Sequence, residues 1–318
     1  NGSNPASSDS DGDGMDDTLE RQLGYDPSRF TRILYVDANR PDNSGDGLTP
    51  QTAKKSIGAA IANSYEGSYE NVIMVAPGIY NGSDNRSLSY RGFDIKLRSS
   101  QGALKTIIDL ESEGRFLYLN NGESLSSTIE GFTIRNGNSD YGAAIRLAQA
   151  QLTIKSCMFV NNRADEGAAI YLEVGNANIS NSLFVDNFGR NGRSSGALSS
   201  NRTSNVELMN CTFTQIPELQ HPVIYNNGTM KITNSIINGR LNGNMPTVNY
   251  SCTREDYSTT GDGNITDEPL VLRNGCLRGD SPCIDAGTSE GLITTDLYGT
   301  ARPQGDGVDM GCEEYLDA

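Results

Sequence analysis

Short apolar runs alternate with polar turns along most of the chain, at intervals too regular for an irregular loop-rich fold. GFTIRN, CMFVNN, SLFVDN and CTFTQI each carry a phenylalanine, at Phe132, Phe159, Phe184 and Phe213, and NSIING continues the series with Ile237. The intervals are 27, 25, 29 and 24 residues. A second marker is offset from the first: GAAIRL at Gly142, GAAIYL at Gly167 and GALSS at Gly196. Each period thus predicts two or three short strands separated by Asn, Gly and Asp turns. A repeat of this length cannot bury its apolar side alone and does so by stacking on its neighbours. At about 4.8 Å per rung, stacking aligns the phenylalanines in an internal ladder and lets Asn162 and Asn187 bond along the stack. The expected fold is an all-β parallel β-helix.

The flanks read differently. ILYVDANRPDNSGDGLTPQTAKKSIGAAIANS predicts a strand, a Gly/Asp/Pro loop and an amphipathic helix starting near Thr52, with Ile57, Ala60 and Ile61 as its buried stripe. NVIMVAPGIY predicts a buried strand broken at Pro77-Gly78. The division expected is an N-terminal arm over 1–30, a cap over 31–70, the solenoid over 71–245 and a loop-rich C-terminal cap over 246–318. Only 36% of the residues are hydrophobic, with 35 glycines and no tryptophan, which suits a thin solenoid better than a compact helical core. A net charge of −15 argues against nucleic acid and anionic lipid as partners. No apolar run approaches membrane-spanning length. The polar first residues read as the start of a processed chain, and six cysteines point to an oxidising compartment. Sequons at Asn1, Asn81, Asn85, Asn178, Asn201, Asn210, Asn227, Asn249 and Asn264 are weak evidence of glycosylation.

Residues 9–20, DSDGDGMDDTLE, carry the densest chemistry. Asp9, Asp11 and Asp13 fall at positions 1, 3 and 5 of a twelve-residue calcium loop, with Gly14 at the sharp turn. Met15 offers its carbonyl, Asp17 falls at position 9, and Glu20 closes the loop as a bidentate carboxylate. This spacing wraps oxygen around one hard cation, and Ca²⁺ suits it best. The segment resembles bacterial thrombospondin type 3 and dockerin-like calcium repeats, and the TLERQLGYDP that follows predicts a short helix and its stop. The ion is expected to rigidify an extracellular segment, or to couple it to a partner, rather than to act in catalysis.

The paired GAAI and FVNN/FVDN repeats resemble the GGAI and FxxN repeats of chlamydial polymorphic outer-membrane proteins. More broadly they resemble the right-handed β-helix of the pectate-lyase superfamily. GDSPCIDAG, TDLYGTARP and GVDMGCEEY resemble the end of bacterial surface proteins with a choice-of-anchor Q domain. The resemblances imply a right-handed parallel β-helix at the cell surface. They do not fix an activity, because this fold serves lyases, hydrolases, esterases and adhesins alike.

Cys157 and Cys211 occupy equivalent places two rungs apart with Ser182 between them, too far for a disulfide, and read as buried thiols. Cys283 with Cys312 is the first choice for a bridge and Cys252 with Cys276 the second; six cysteines allow 15 pairings. For catalysis, Asp140 and Asp165 each lie two residues before a GAA glycine and stack on adjacent rungs about 5 Å apart, with Glu166, Arg163 and Arg193 near. The competing reading is a solvated row of turn residues. His221 has no evident partner, Lys155 and Lys231 point outward from strands, and sugar stacking would fall to Tyr141, Tyr171 or Tyr225. The expected function is a calcium-binding structural or adhesive surface protein, with self-association into fibres or surface glycans as partners. The alternative is a calcium-dependent polysaccharide lyase or glycoside hydrolase.

Overall fold

The computed structural model describes residues 8–64, 69–190, 196–214, 222–254, 261–291 and 293–316. The chain is a parallel β-solenoid. Among the described residues, a 13-stranded sheet, an 8-stranded sheet and a 3-stranded sheet run along it, and every paired strand is parallel to its neighbour. One continuous apolar core lies between them, from Leu34 and Val36 at one end to Val248 at the other. Thr31–Val36 pairs in register with Glu70–Val75, so the solenoid starts at the strand assigned to the cap. It also runs past 245, because Thr247–Asn249 and Cys252–Thr253 join the long and second sheets.

Phe159, Phe184, Phe213 and Ile237 form the predicted ladder in exact register. The rings of Phe159 and Phe184 lie 4.8 Å apart and those of Phe184 and Phe213 4.2 Å apart, stacked with nearly parallel planes. Phe132 is not a member. Phe159 pairs with Ile134, and Phe132, fully buried, precedes that rung position by two. The odd 27-residue interval marks the slip, since Ile134 to Phe159 is 25. Cys157 and Cys211 are buried thiols, as expected, each directed at its own strand's carbonyl at Lys155 and Met209. Serines share their column: Ser182 accepts from the Cys157 N–H and Ser235 from the Cys211 N–H.

The turns repeat as faithfully as the strands. Asn136, Asn161 and Asp186 sit at φ 58°, 53° and 52°, and Ser156, Asn181, Asn210 and Asn234 occupy a second left-handed series. Short polar side chains tolerate this region, which explains the Asn bias. Asn162 Nδ2 donates to Asn187 Oδ1 at 2.9 Å and to the Ile134 carbonyl at 3.0 Å. Gly142 (φ 54°) and Gly167 (φ 56°) are dictated by sterics as well: a Cβ there would lie 2.1 Å from the Ile145 carbonyl oxygen and 2.3 Å from that of Ile170.

The cap helix is shorter than predicted. Thr49 caps a 3₁₀ turn, Pro50–Thr52, and the chain then extends so that Lys54 bridges Val36; only after Ser56 does the helix Ile57–Ala62 begin. Ile57, Ala60 and Ile61 are its buried face, as expected. The C-terminal region is not a simple end cap. It folds back along the second sheet, where Cys312 N–H donates to Thr212 Oγ1, Thr288 N–H to Asn234 Oδ1, and Arg273 pairs with Asp186. Leu183, Val185, Leu297 and Cys312 form an apolar cluster beneath it. Arg302 and Glu314 form a wholly buried ion pair at 2.9 Å, and Arg302 also donates to the carbonyls of Asp309 and Gly311.

Neither predicted disulfide fits. All six cysteines are free, Cys312 packs with Leu183, and Cys283 packs with Cys252 in a separate cluster. Cys276 lies instead beside Glu313 and Tyr298. The fold-back of the C-terminal segment separates the two sequence blocks that suggested the first bridge.

Candidate functional site

The N-terminal loop folds into a tight acidic turn. Asp9 accepts from the Gly12 and Gly14 N–H groups at 2.8 and 3.0 Å, Asp11 from Asp13 N–H, and Asp13 from Met15 N–H at 2.7 Å. These turns bring one carboxylate oxygen from each of Asp9, Asp11 and Asp13 within 4.8 Å of one another. Helix Asp17–Leu23 follows, capped by Asp16 and ended by Gly24 at φ 78°, matching the helix and stop that the sequence predicts. It carries Glu20 back towards the acidic turn. Glu20 is fully buried, its Oε2 and the Oδ2 of Asp11 have no hydrogen-bond partner, and its carboxyl is pushed up to about 7, by burial and then by the charges of Asp11 and Asp13. Asp11 is pushed up in the same way, by burial and by Asp13 and Asp9. Asp17 faces elsewhere: it accepts from Ser10 N–H and hydroxyl and pairs with Arg21 at 3.1 Å. Position 9 of such loops commonly acts through a water, so this is compatible with the pattern. Met15 lies in the same turn.

This loop is fastened to the solenoid. Thr31 N–H, at the start of the first strand, donates to Asp13 Oδ2 at 2.8 Å, and the Thr31 hydroxyl to Glu20 Oε1 at 3.3 Å. Beyond the helix, Tyr25 is buried, Asp26 N–H donates to Glu70, and Arg98 donates to the Leu23 carbonyl at 3.1 Å. Lys96 bridges Glu70 and the Gly24 carbonyl. A groove of about 220 Å³ between the arm and the long sheet is lined by Tyr25, Arg98, Glu130 and Lys155 among others. The donor set is all oxygen, confined in one turn, with two buried carboxylate oxygens unpartnered. It fits Ca²⁺.

The second candidate resolves otherwise. Register places Ser139 beside Ala164 and Tyr141 beside Glu166, hence Asp140 next to Asp165 as predicted. Arg190 closes the pair: its Nε and Nη2 bind both oxygens of Asp165 at 3.1 Å, and Nη2 also binds Asp140. One guanidinium thus bridges both carboxylates as a strut across the third sheet. Arg163 stacks on the Phe188 ring at 4.3 Å, away from that role, and Glu166 neighbours Tyr171. Arg190 was legible, since it lies 25 residues after Asp165, one repeat on. Arg193 and His221 lie outside the described residues.

A cation–aromatic column runs along the long sheet. Tyr118, Arg146, Tyr171, Ser199 and Tyr225 stand rung on rung. Arg146 lies 4.9 Å from the Tyr118 ring and 5.2 Å from that of Tyr141, which packs 5.0 Å from Tyr171. Arg115 joins over Tyr118 at 5.5 Å, and its guanidinium is held below its ordinary value by burial and by the charge of Arg146. The Nε groups of both arginines are buried without a hydrogen-bond partner. Arg146 also pairs with Glu173.

No family model matches this chain, and no curated protein matches it either. Among solved structures it is similar to a pectin methylesterase from carrot, at 15% identity over 69% of this chain and 70% of that one, TM-score 0.43. It is also similar to the pectate lyase Pel9A, at 14% identity over 90% of this chain and 96% of that one, TM-score 0.29. The likeness is one of fold. No helix among the described residues is long and apolar enough to cross a membrane.

Proposed function

We propose that this protein is an extracellular calcium-binding β-helix with a structural or adhesive role, in which Ca²⁺ locks the N-terminal arm onto the first strands of the solenoid. The observation that carries this reading is the convergence of Asp9, Asp11 and Asp13 below a buried Glu20 whose Oε2 has no partner. A cation supplies the charge that this cluster lacks. Asp13 and Glu20 also hold Thr31, so ion binding and docking of the arm are one event. Calorimetry on the metal-free protein should give one Ca²⁺ site, with Glu20→Gln weakening it at least about tenfold through loss of the bidentate ligand. Equal affinity in wild type and variant would remove the assignment.

A second reading, a carbohydrate-active enzyme or glycan binder, draws on the Tyr118–Arg146–Tyr171 column. Aromatic faces suit sugar rings and paired guanidinium groups suit their carboxylates. In this reading Arg115, the arginine held below its ordinary value, is the candidate base for proton abstraction beside a uronate. New unsaturated ends from an acidic polysaccharide panel, lost in Arg115→Lys, would favour it. Binding without cleavage, lost in Arg146→Ala, would leave the adhesive role.

A further inference from the structure

The cysteines carry an inference that depends on neither calcium nor glycans. Cys252 stands on the last described strand of the second sheet, Cys252–Thr253, in line with Ile236. Cys283 follows 31 residues later, in the segment that folds back over that sheet, where its carbonyl accepts from the Met310 N–H at 3.0 Å. The two side chains share one buried cluster with Ile236, Leu277 and Met310, at 1% and 0% exposure. The Cys252 thiol donates to the Asp267 carbonyl at 3.3 Å, and the Cys283 thiol lies close enough to perturb it. The other four cysteines are placed differently. Cys157 and Cys211 face their own strand carbonyls inside the solenoid, Cys312 packs with Leu183, and Cys276 lies beside Glu313 and Tyr298.

We propose that Cys252 and Cys283 form a disulfide that staples the C-terminal segment to the last rungs of the solenoid. The oxidant is a disulfide of the glutathione class. One cysteine thiolate attacks a sulfur of that disulfide and releases its other half as a thiol; the second cysteine thiolate then displaces the remaining half. Two protein thiols and one small disulfide thus become one protein disulfide and two small thiols, so atoms and electrons balance. The nearby Cys283 thiol and burial both push the Cys252 thiol well above its ordinary range. The thiolate therefore forms while the segment is still open, and the exchange belongs to folding rather than to the closed state. A cross-link closing a loop of this length restricts the unfolded chain substantially. It also fixes the segment that, among the described residues, covers the apolar outer face of the second sheet.

The test is a non-reducing peptide map of the full chain, folded in a glutathione redox buffer and alkylated. The expected result is a single linked peptide joining Cys252 to Cys283, unchanged in Cys276→Ser and absent from Cys252→Ser and Cys283→Ser. Reduction should lower the thermal midpoint of the wild type by about 5–10 °C and leave that of the two serine variants unmoved. Alkylation of both Cys252 and Cys283 after oxidising folding, or a link from either to Cys276 or Cys312, overturns the proposal. If a serine variant fails to fold, the wild-type map decides alone.

Discussion

Asn187 donates to the Phe159 and Val185 carbonyls and accepts from the backbone and side chain of Asn162, so one amide ties two successive rungs together. Such positions were legible, because Asn at a constant offset from Phe announces both the turn and the ladder. Arg190 was legible only by counting one repeat from Asp165, and Phe132 misled because any aromatic near a strand end mimics the ladder. Asp309 could not be read from sequence. Its oxygens accept from the Asp285 and Tyr315 N–H groups, yet burial pushes its carboxyl up to about 6 from 3.8. Between those values the unfolded chain has released this proton and the folded chain keeps it. Its contribution is therefore most favourable below about pH 3.8 and is lost as pH rises through about 6, a change on the order of 3 kcal/mol. Asp309→Asn should flatten this part of the stability–pH curve, measured as the urea midpoint between about pH 4 and 7. An unchanged slope would mean the group ionises freely in the fold.

At the scale of elements, SLFVDN already hinted at the C-terminal fold-back. Leu183, Phe184 and Val185 are all buried, which a strand with one wet face does not allow. Periodicity alone could not say what covers the outer side, because the covering segment lies about a hundred residues away and has little regular structure. The same reasoning explains the shortened cap helix, where backbone pairing of Lys54 with Val36 overrides the helical pattern. Deleting residues 263–318 should expose Leu183, Val185, Met158 and Val160. Such a truncation is expected to bind a hydrophobic-surface dye strongly and to aggregate, while retaining the far-ultraviolet spectrum of the sheets. A truncated chain that stays monomeric and dye-silent would show that the segment is not the cover of that face.

On the scale of the molecule, the first strand of the solenoid bonds at its opening residue, Thr31, to the acidic arm. The loop spacing predicts an ion, but not that Asp13 and Glu20 would reach Thr31, since no local pattern encodes where an arm docks. Without a cation, the three carboxylates of one turn crowd against that of Glu20, and the arm is held mainly by Tyr25, Asp26 and the contacts of Lys96 and Arg98. Calcium should therefore change the arm far more than the rungs behind it. Hydrogen exchange by mass spectrometry, in calcium and then in a chelator, measures this directly. The account predicts at least about tenfold slower exchange for 9–31 in calcium, with the strands from Ile95 to Thr233 unchanged. Equal exchange of the arm in both conditions would contradict it.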